Sequence, residues 1–214
     1  MFDMLQSILL ISPHTDDCEF GMGATIKQFV DAQKHITWVV MSNASVSLPP
    51  GFDDDTLIRE QKKSAESLGI GDQSLIFYDF PVRNFTRFRQ EILEVFVELE
   101  RENSFDAVFA PSRFDAHQDH SVIVNEAVRA FKKTCIFGYD LPWNYTQQNF
   151  GCLNEISEKE LSVKLNALKK YESQTARKYM DKSVIEAIAR FRALTTKADY
   201  CEGFEVIKYV TYKA

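Results

Sequence analysis

The chain has 214 residues, 45% of them apolar and 17 of them Phe, which suits one domain with a sizeable core. A formal charge of −6 excludes a general nucleic-acid binder, which needs a basic face, and leaves a small neutral substrate open. Cys18, Cys135, Cys152 and Cys201 have no CxxC spacing and read as buried thiols of a reducing compartment rather than a disulfide framework. The start, Met1-Phe2-Asp3-Met4, lacks a basic n-region, and no run approaches the ~20 apolar residues of a membrane span. A cytoplasmic protein with no membrane span is expected.

Apolar runs and helical patterns then alternate. Residues 5–12 are apolar and β-branched and predict a first strand, residues 21–34 a helix, and residues 36–41 a second strand. Residues 42–54 carry Ser, Pro, Gly and three Asp and form a long loop. A helix over 56–68 has Thr56 or Asp55 as its N-cap and Gly69 as its stop. A third strand is predicted at 74–80, an amphipathic helix at 87–103, a fourth strand at 107–110, a helix at 120–133 and a fifth strand at 135–139. The segment 139–154 is irregular and rich in aromatics and amides, so it is a candidate pocket wall. Helical patterns follow at 158–171 and 181–194, and a late strand at 206–212. Such alternation predicts a Rossmann-like α/β fold over residues 1–214 as one domain. Its sheet is mostly parallel and twisted, of order 3-2-1-4-5, with helices on both faces.

That order brings two distant motifs together. His14-Thr15-Asp16-Asp17 follows the first strand, and His117-Gln118-Asp119-His120 follows the fourth. These strands are neighbours at the point where the strand order reverses, and a crevice opens there at their C-terminal ends. A catalytic zinc takes three protein ligands and keeps one position open. His14, Asp17 and His120 make a His₂Asp set, which Fe²⁺ or Co²⁺ also suits. Asp16 and His117 are then left as a proton acceptor and a donor to a developing oxyanion. Asp119 is expected to hold the imidazole of His117 in one tautomer. The chemistry is metal-assisted hydrolysis of an amide or ester. Other jobs compete for some of these residues: Asp16 or Asp17 can cap the following helix, and Asp119 the helix from His120. Cys18 reads as packing, and His35 as a surface side chain. Gly21-Met22-Gly23 opens like a dinucleotide fingerprint, but Ile26 stands where its third glycine belongs, so small size for close helix–sheet approach is the better reading.

With those residues in view, the chain resembles the PIG-L/LmbE-like family of zinc-dependent N-acetylglucosaminyl deacetylases. The likeness rests on residues 14–25, similar to an HPDDxExGxGGT motif, and on residues 117–120, similar to HPDH. It extends to Arg59-Glu60 with Leu68-Gly69, to Lys164, Ala167-Leu168, Tyr171 and Ser173-Gln174, and to Phe191-Arg192-Ala193 and Tyr200-Cys201-Glu202-Gly203-Phe204. Thr15, Ala24, Gln118 and Ala193 depart from the pattern without removing a catalytic group. The resemblance implies an LmbE-like fold, zinc on His14, Asp17 and His120, Asp16 as general base and His117 at the oxyanion or amine. It implies an N-acetylated sugar as small-molecule substrate, such as an N-acetylglucosamine conjugate, glycolipid precursor or nucleotide sugar, and a possible homo-oligomer. It also implies Arg59 as a sugar contact. Arg83, Arg87 and Arg113 stand in or near loops where an anionic aglycone or nucleotide would sit, and Trp143 and Tyr139 are candidates to stack on a sugar. Two other readings remain: a metal-dependent deacylase of another small amide or ester, and a non-catalytic sugar-binding relative, against which the retained Asp16 argues.

Overall fold

The computed structural model describes residues 2–211. Among these, seven strands form one sheet: β1 (Ser7–Ser12), β2 (His35–Val40), β3 (Leu75–Phe77), β4 (Ala107–Pro111), β5 (Cys135–Tyr139), β6 (Cys152–Ile156) and β7 (Tyr200–Lys208). The order is β3-β2-β1-β4-β5-β7-β6. The first five strands are parallel, and β7 lies antiparallel between β5 and β6. The predicted 3-2-1-4-5 order is therefore present, extended at one edge by an antiparallel pair.

Strand side chains alternate between two apolar layers. Ile8, Leu10, Trp38, Val40, Phe109 and Phe137 face one of them, with α1 (Asp17–Asp31), α2 (Thr56–Leu68), α5 (Glu158–Leu168) and α6 (Lys182–Ala193). Leu9, Ile11, Val39, Val108 and Ile136 face the other, with α3 (Arg89–Glu102) and α4 (Gln118–Ala130). Both faces of the strands are covered, which is why they read as continuous apolar runs rather than as alternation.

Several elements depart from the sequence reading, each for a local reason. Helix α1 begins four residues early, at Asp17, and its backbone breaks at Met22 (φ −152°) between two glycines. A Cβ on Gly21 would lie 2.4 Å from the Tyr139 ring, so the helix can approach the sheet there only without a side chain. Helix α2 matches its predicted span and stops at Gly69, which takes φ 94°. Strand β3 is shorter than predicted because it is an edge strand paired only to β2. The segment 139–154 ends in strand rather than remaining irregular, since β6 pairs along β7. Strand β7 starts six residues before the predicted late strand, whose final residue, Tyr212, lies outside the described residues. Two buried acids hide it. Glu202 accepts from Thr25 and Lys164, and Glu205 from Ser112 and Arg113, so charges sit inside a strand where apolar residues are expected. All four cysteines are free thiols. Among the described residues no helix is long and apolar enough to cross a membrane.

Candidate active site

Strands β1 and β4 pair in parallel, with Ile8 opposite Ala107, so their C-terminal ends open at the same edge of the sheet. His14 stands just beyond β1. The carboxylate of Asp17, at the first turn of α1, accepts the His14 backbone N–H at 2.9 Å and fixes the turn between them. His117 is the N-cap of α4, and His120 lies one turn inside that helix. The three imidazoles cluster, with ring centroids 4.5–5.2 Å apart.

Three ligand atoms converge at the centre. His14 Nδ1 and His120 Nε2 are 3.3 Å apart, and each is 3.4 Å from Asp17 Oδ2. A tetrahedral ion with bonds of about 2.0–2.1 Å sets its ligand atoms about 3.3–3.4 Å apart. The outer nitrogens are both taken by carboxylates: His14 Nε2 by Asp119 at 3.0 Å and His120 Nδ1 by Asp115 at 2.7 Å. Those partners draw the ring protons outward and turn the lone pairs of the facing nitrogens inward, as in carboxylate–histidine–metal sites. The residues fit a divalent ion by spacing and by donor chemistry. His14, His117 and His120 also form a group, their ring nitrogens all within 4.8 Å of one another. The Asp17 set has three edges that match tetrahedral spacing, and His117 Nδ1 is engaged by the Asp119 N–H.

The acids tune these rings. Burial works against the charged form of His120, yet Asp17 and Asp115 outweigh it and push the ion-free ring up to about 10. Burial likewise opposes charge on Asp17, but the His120 and His14 rings hold its carboxyl well below the ordinary range. His14 is raised because Asp119 and Asp17 overcome its burial. His117 goes the other way, down to about 4, through burial and then the neighbouring His120 and His14. Its Nδ1 accepts the Asp119 backbone N–H at 3.2 Å, so the neutral ring carries its proton on Nε2.

Asp16 lies half-buried in the wall beside this centre. Burial, and then the charge of Asp17, raise its carboxyl well above the ordinary range, and Arg177 partly offsets the rise. Its backbone is left-handed, φ 75°, which costs a non-glycine residue about 1–2 kcal/mol. The strain is held by two acceptors for its N–H: the Tyr171 hydroxyl at 3.0 Å and Gln61 Oε1 at 3.3 Å. Tyr171 and Gln61 in turn bond Glu19, which Ser64 also contacts at 2.7 Å. Burial lifts the Glu19 carboxyl to about 7.

The structure thus gathers His14, Asp16, Asp17, His117 and His120 around one cavity of about 170 Å³ and puts Asp119 directly behind them. Several expectations change. The Asp119 carboxylate orients His14 rather than His117, because it is spent on His14 Nε2 and on the backbone N–H groups of Arg83 and Phe85; only its main chain reaches His117. Arg59 does not line the cavity. It is half-exposed on α2, paired with Asp55 at 2.6 Å and Asp53 at 3.3 Å, and lines a separate surface pocket. Neither Asp16 nor Asp17 caps α1 with its side chain; Asp17 turns back to His14 instead. Trp143 and Arg83 do line the cavity, with Asn144, Gln174, Arg177 and Tyr179. Tyr139 is buried with its hydroxyl on the Ile11 carbonyl, and Arg113 is paired to Glu205. Cys18 is fully buried. Sequence reasoning did not assign the orienting roles of Asp115, Gln61 and Tyr171. Asp115 had a local signal, sitting two residues before His117, and Tyr171 stood among the residues of the family resemblance.

Two histidine–carboxylate motifs thus meet at the switch point of a doubly wound sheet. The chain belongs to the PIG-L (GlcNAc-PI de-N-acetylase) family, whose pattern matches residues 9–132. Among curated proteins it is similar to the diacetylchitobiose deacetylase of Thermococcus kodakarensis, 30% identical over a 128-residue alignment that covers 56% of this chain and 46% of that protein. The chain thus spans about half the length of that relative. Among solved structures it is similar to the N,N'-diacetylchitobiose deacetylase of Pyrococcus horikoshii, with TM-score 0.76 and 20% identity over 96% of this chain and 85% of that one. It is also similar to GalB, the 4-carboxy-2-hydroxymuconate hydratase of Pseudomonas putida KT2440, with TM-score 0.75 and 18% identity over 98% and 99% of the two chains. These structural likenesses establish a shared fold.

Proposed function

We propose that the protein is a metal-dependent N-deacetylase that releases acetate from an N-acetylated amino sugar conjugate, with zinc as the ion. The observation that carries this reading is the triangle of His14 Nδ1, Asp17 Oδ2 and His120 Nε2, with Asp16 and His117 on the same cavity wall. Fold alone does not choose a reaction, since a hydratase shares it. The family and the diacetylchitobiose deacetylase relative support acetamide hydrolysis.

His14, Asp17 and His120 would hold the ion, which when bound lowers the pKa of water and polarises a carbonyl. Asp16 takes the proton from the attacking water; its raised pKa suits an acceptor that must give the proton up again. His117, neutral and protonated on Nε2, donates a hydrogen bond to the oxyanion that forms when water adds to the acetyl carbon. The carbon–nitrogen bond then breaks, Asp16 passes its proton to the departing nitrogen, and acetate and a free amine result. A cavity of about 170 Å³ is smaller than ligand pockets, which start at about 300 Å³, so it receives one end of the substrate and leaves the aglycone outside.

The test is acetate release from a panel of N-acetylglucosamine conjugates, with and without chelator. Release that chelator abolishes and zinc restores is expected. Release indifferent to chelator, or none from any conjugate, would remove the proposal. Release confined to non-sugar amides or esters would move it to the broader deacylase class.

A further inference from the structure

Lys164 and Glu202 belong to the family likeness, yet the proposed chemistry gives neither of them a role. Both are buried, Lys164 on α5 and Glu202 on β7, and Lys164 Nζ donates to Glu202 Oε1 at 2.7 Å. A buried ion pair adds little net stability over apolar side chains of the same size, so its use here points to a geometry that it sets.

That geometry is the break in α1. In an unbroken helix the N–H groups of Ala24 and Thr25 bond the carbonyls of Phe20 and Gly21, four residues back. At the Met22 break both turn to Glu202, Ala24 N–H to Oε1 at 3.2 Å and Thr25 N–H to Oε2 at 2.7 Å. The Thr25 hydroxyl donates to Oε2 as well, at 2.6 Å. On the other side of the break, the Phe20 carbonyl accepts Lys164 Nζ at 2.6 Å. The anion thus meets N–H groups where the helix resumes, and the cation meets a carbonyl where it stops, each matching the partial charge of that end. Gly23 leaves room for this: a Cβ there would lie 3.0 Å from Lys164 Cγ.

The short segment before the break carries part of the site. Phe20 N–H donates to the Asp16 carbonyl at 3.0 Å, so a single residue joins Asp16 to the ion pair. Asp17 lies in the same turn, and its carboxylate accepts the His14 N–H at 2.9 Å. We propose that Lys164 and Glu202 are positioning residues, which act across the Met22 break to set the first turn of α1 so that Asp17 stands at the metal vertex. The vertex rests on the metal reading above, and the experiment separates the two.

Two quantities are measured in Lys164→Met, Glu202→Gln and the double variant. In ion-free protein, exchange of the His14 amide is followed by NMR against that of Leu10 in β1, because the Asp17 carboxylate is the acceptor of the His14 N–H. Zinc affinity is measured by competition with a chelator. Ile36→Ala is the control for lost stability, since Ile36 packs in the same apolar layer but at the start of β2, the end of the sheet away from the site.

Each single variant is expected to speed His14 exchange at least ~10-fold relative to Leu10 and to weaken zinc binding about 10–100-fold, the usual cost of losing an outer support of a metal site. The double variant leaves no lone buried charge and decides the matter where a single variant does not fold; the same two losses are expected of it. Ile36→Ala is expected to lower Tm through its cavity yet to keep both quantities within about twofold. A lower Tm with His14 exchange and zinc affinity unchanged in the pair variants overturns the proposal. Equal losses of both in Ile36→Ala overturn it too. If the parent binds no zinc while His14 protection still follows the pair, the metal reading falls and the positioning of Asp17 stands.

Discussion

The floor of the cavity and its rim are built differently. Floor residues hang on the ends of β1 and β4 and the first turns of α1 and α4, and two of their carboxylates each meet several partners: Asp17 Oδ2 faces the His14 N–H, His14 Nδ1 and His120 Nε2, and Asp115 meets His120, His117 and Asn144. Rim residues (Arg83, Trp143, Arg177, Tyr179) come from loops and short turns and are more exposed; Arg177 bonds the Tyr179 hydroxyl and Tyr179 stacks on Trp143. A fixed floor suits chemistry that must be the same for every substrate, because small displacements there cost rate. A rim of loops suits selection, because loop residues change without disturbing the core.

The contrast can be broken from the floor upward. His120→Ala should lose bound metal and at least ~10³-fold of acetate release, measured by metal analysis and turnover, because it deletes one vertex of the triangle. Asp16→Asn should keep metal and lose about 10²–10⁴-fold in kcat, the usual worth of a general base; turnover near the parent's would remove that role. Asp115→Asn, one bond further out, should weaken metal affinity about 10–100-fold, since it no longer fixes the His120 tautomer as firmly. Metal affinity should also depend on pH. Asp17 and Asp115 push the ion-free His120 ring up to about 10, so binding should expel its proton, and affinity should rise ~10-fold per pH unit from 6 to 8. A flat profile in a competitive chelator titration would contradict the acid pairing around His120. At the small end, Arg59→Gln should change kcat/KM less than about twofold and stability by under about 1 kcal/mol, as its exposed pairs with Asp53 and Asp55 lie off the cavity. A large rise in KM would return Arg59 to the site.

The floor was legible in the sequence because its signals are local and dense. Two short acidic histidine segments, each after an apolar run, needed only the strand order to be joined, and that order follows from the alternation of elements. The rim was not legible in the same way. Arg59 and Arg83 look alike as residues in sequence, one at a helix start and one in a turn. What separates them is which carboxylate each meets: Asp55 for the guanidinium of Arg59, Asp119 for the main chain of Arg83. The support for Asp16 was hidden for a related reason. Tyr171 reaches its N–H from 155 positions away, a contact no spacing rule encodes. Strand β7 was misplaced because Glu202 and Glu205 are buried against partners from other elements, which reverses their usual meaning.

The most direct measurement is anomalous X-ray diffraction at the zinc edge from crystals of the zinc-loaded protein. One strong peak is expected, about 2.0–2.1 Å from each of His14 Nδ1, Asp17 Oδ2 and His120 Nε2, with His117 outside bonding distance. A peak bonded to His117 in place of Asp17, or no peak between these residues, would contradict the triangle on which the proposed chemistry stands.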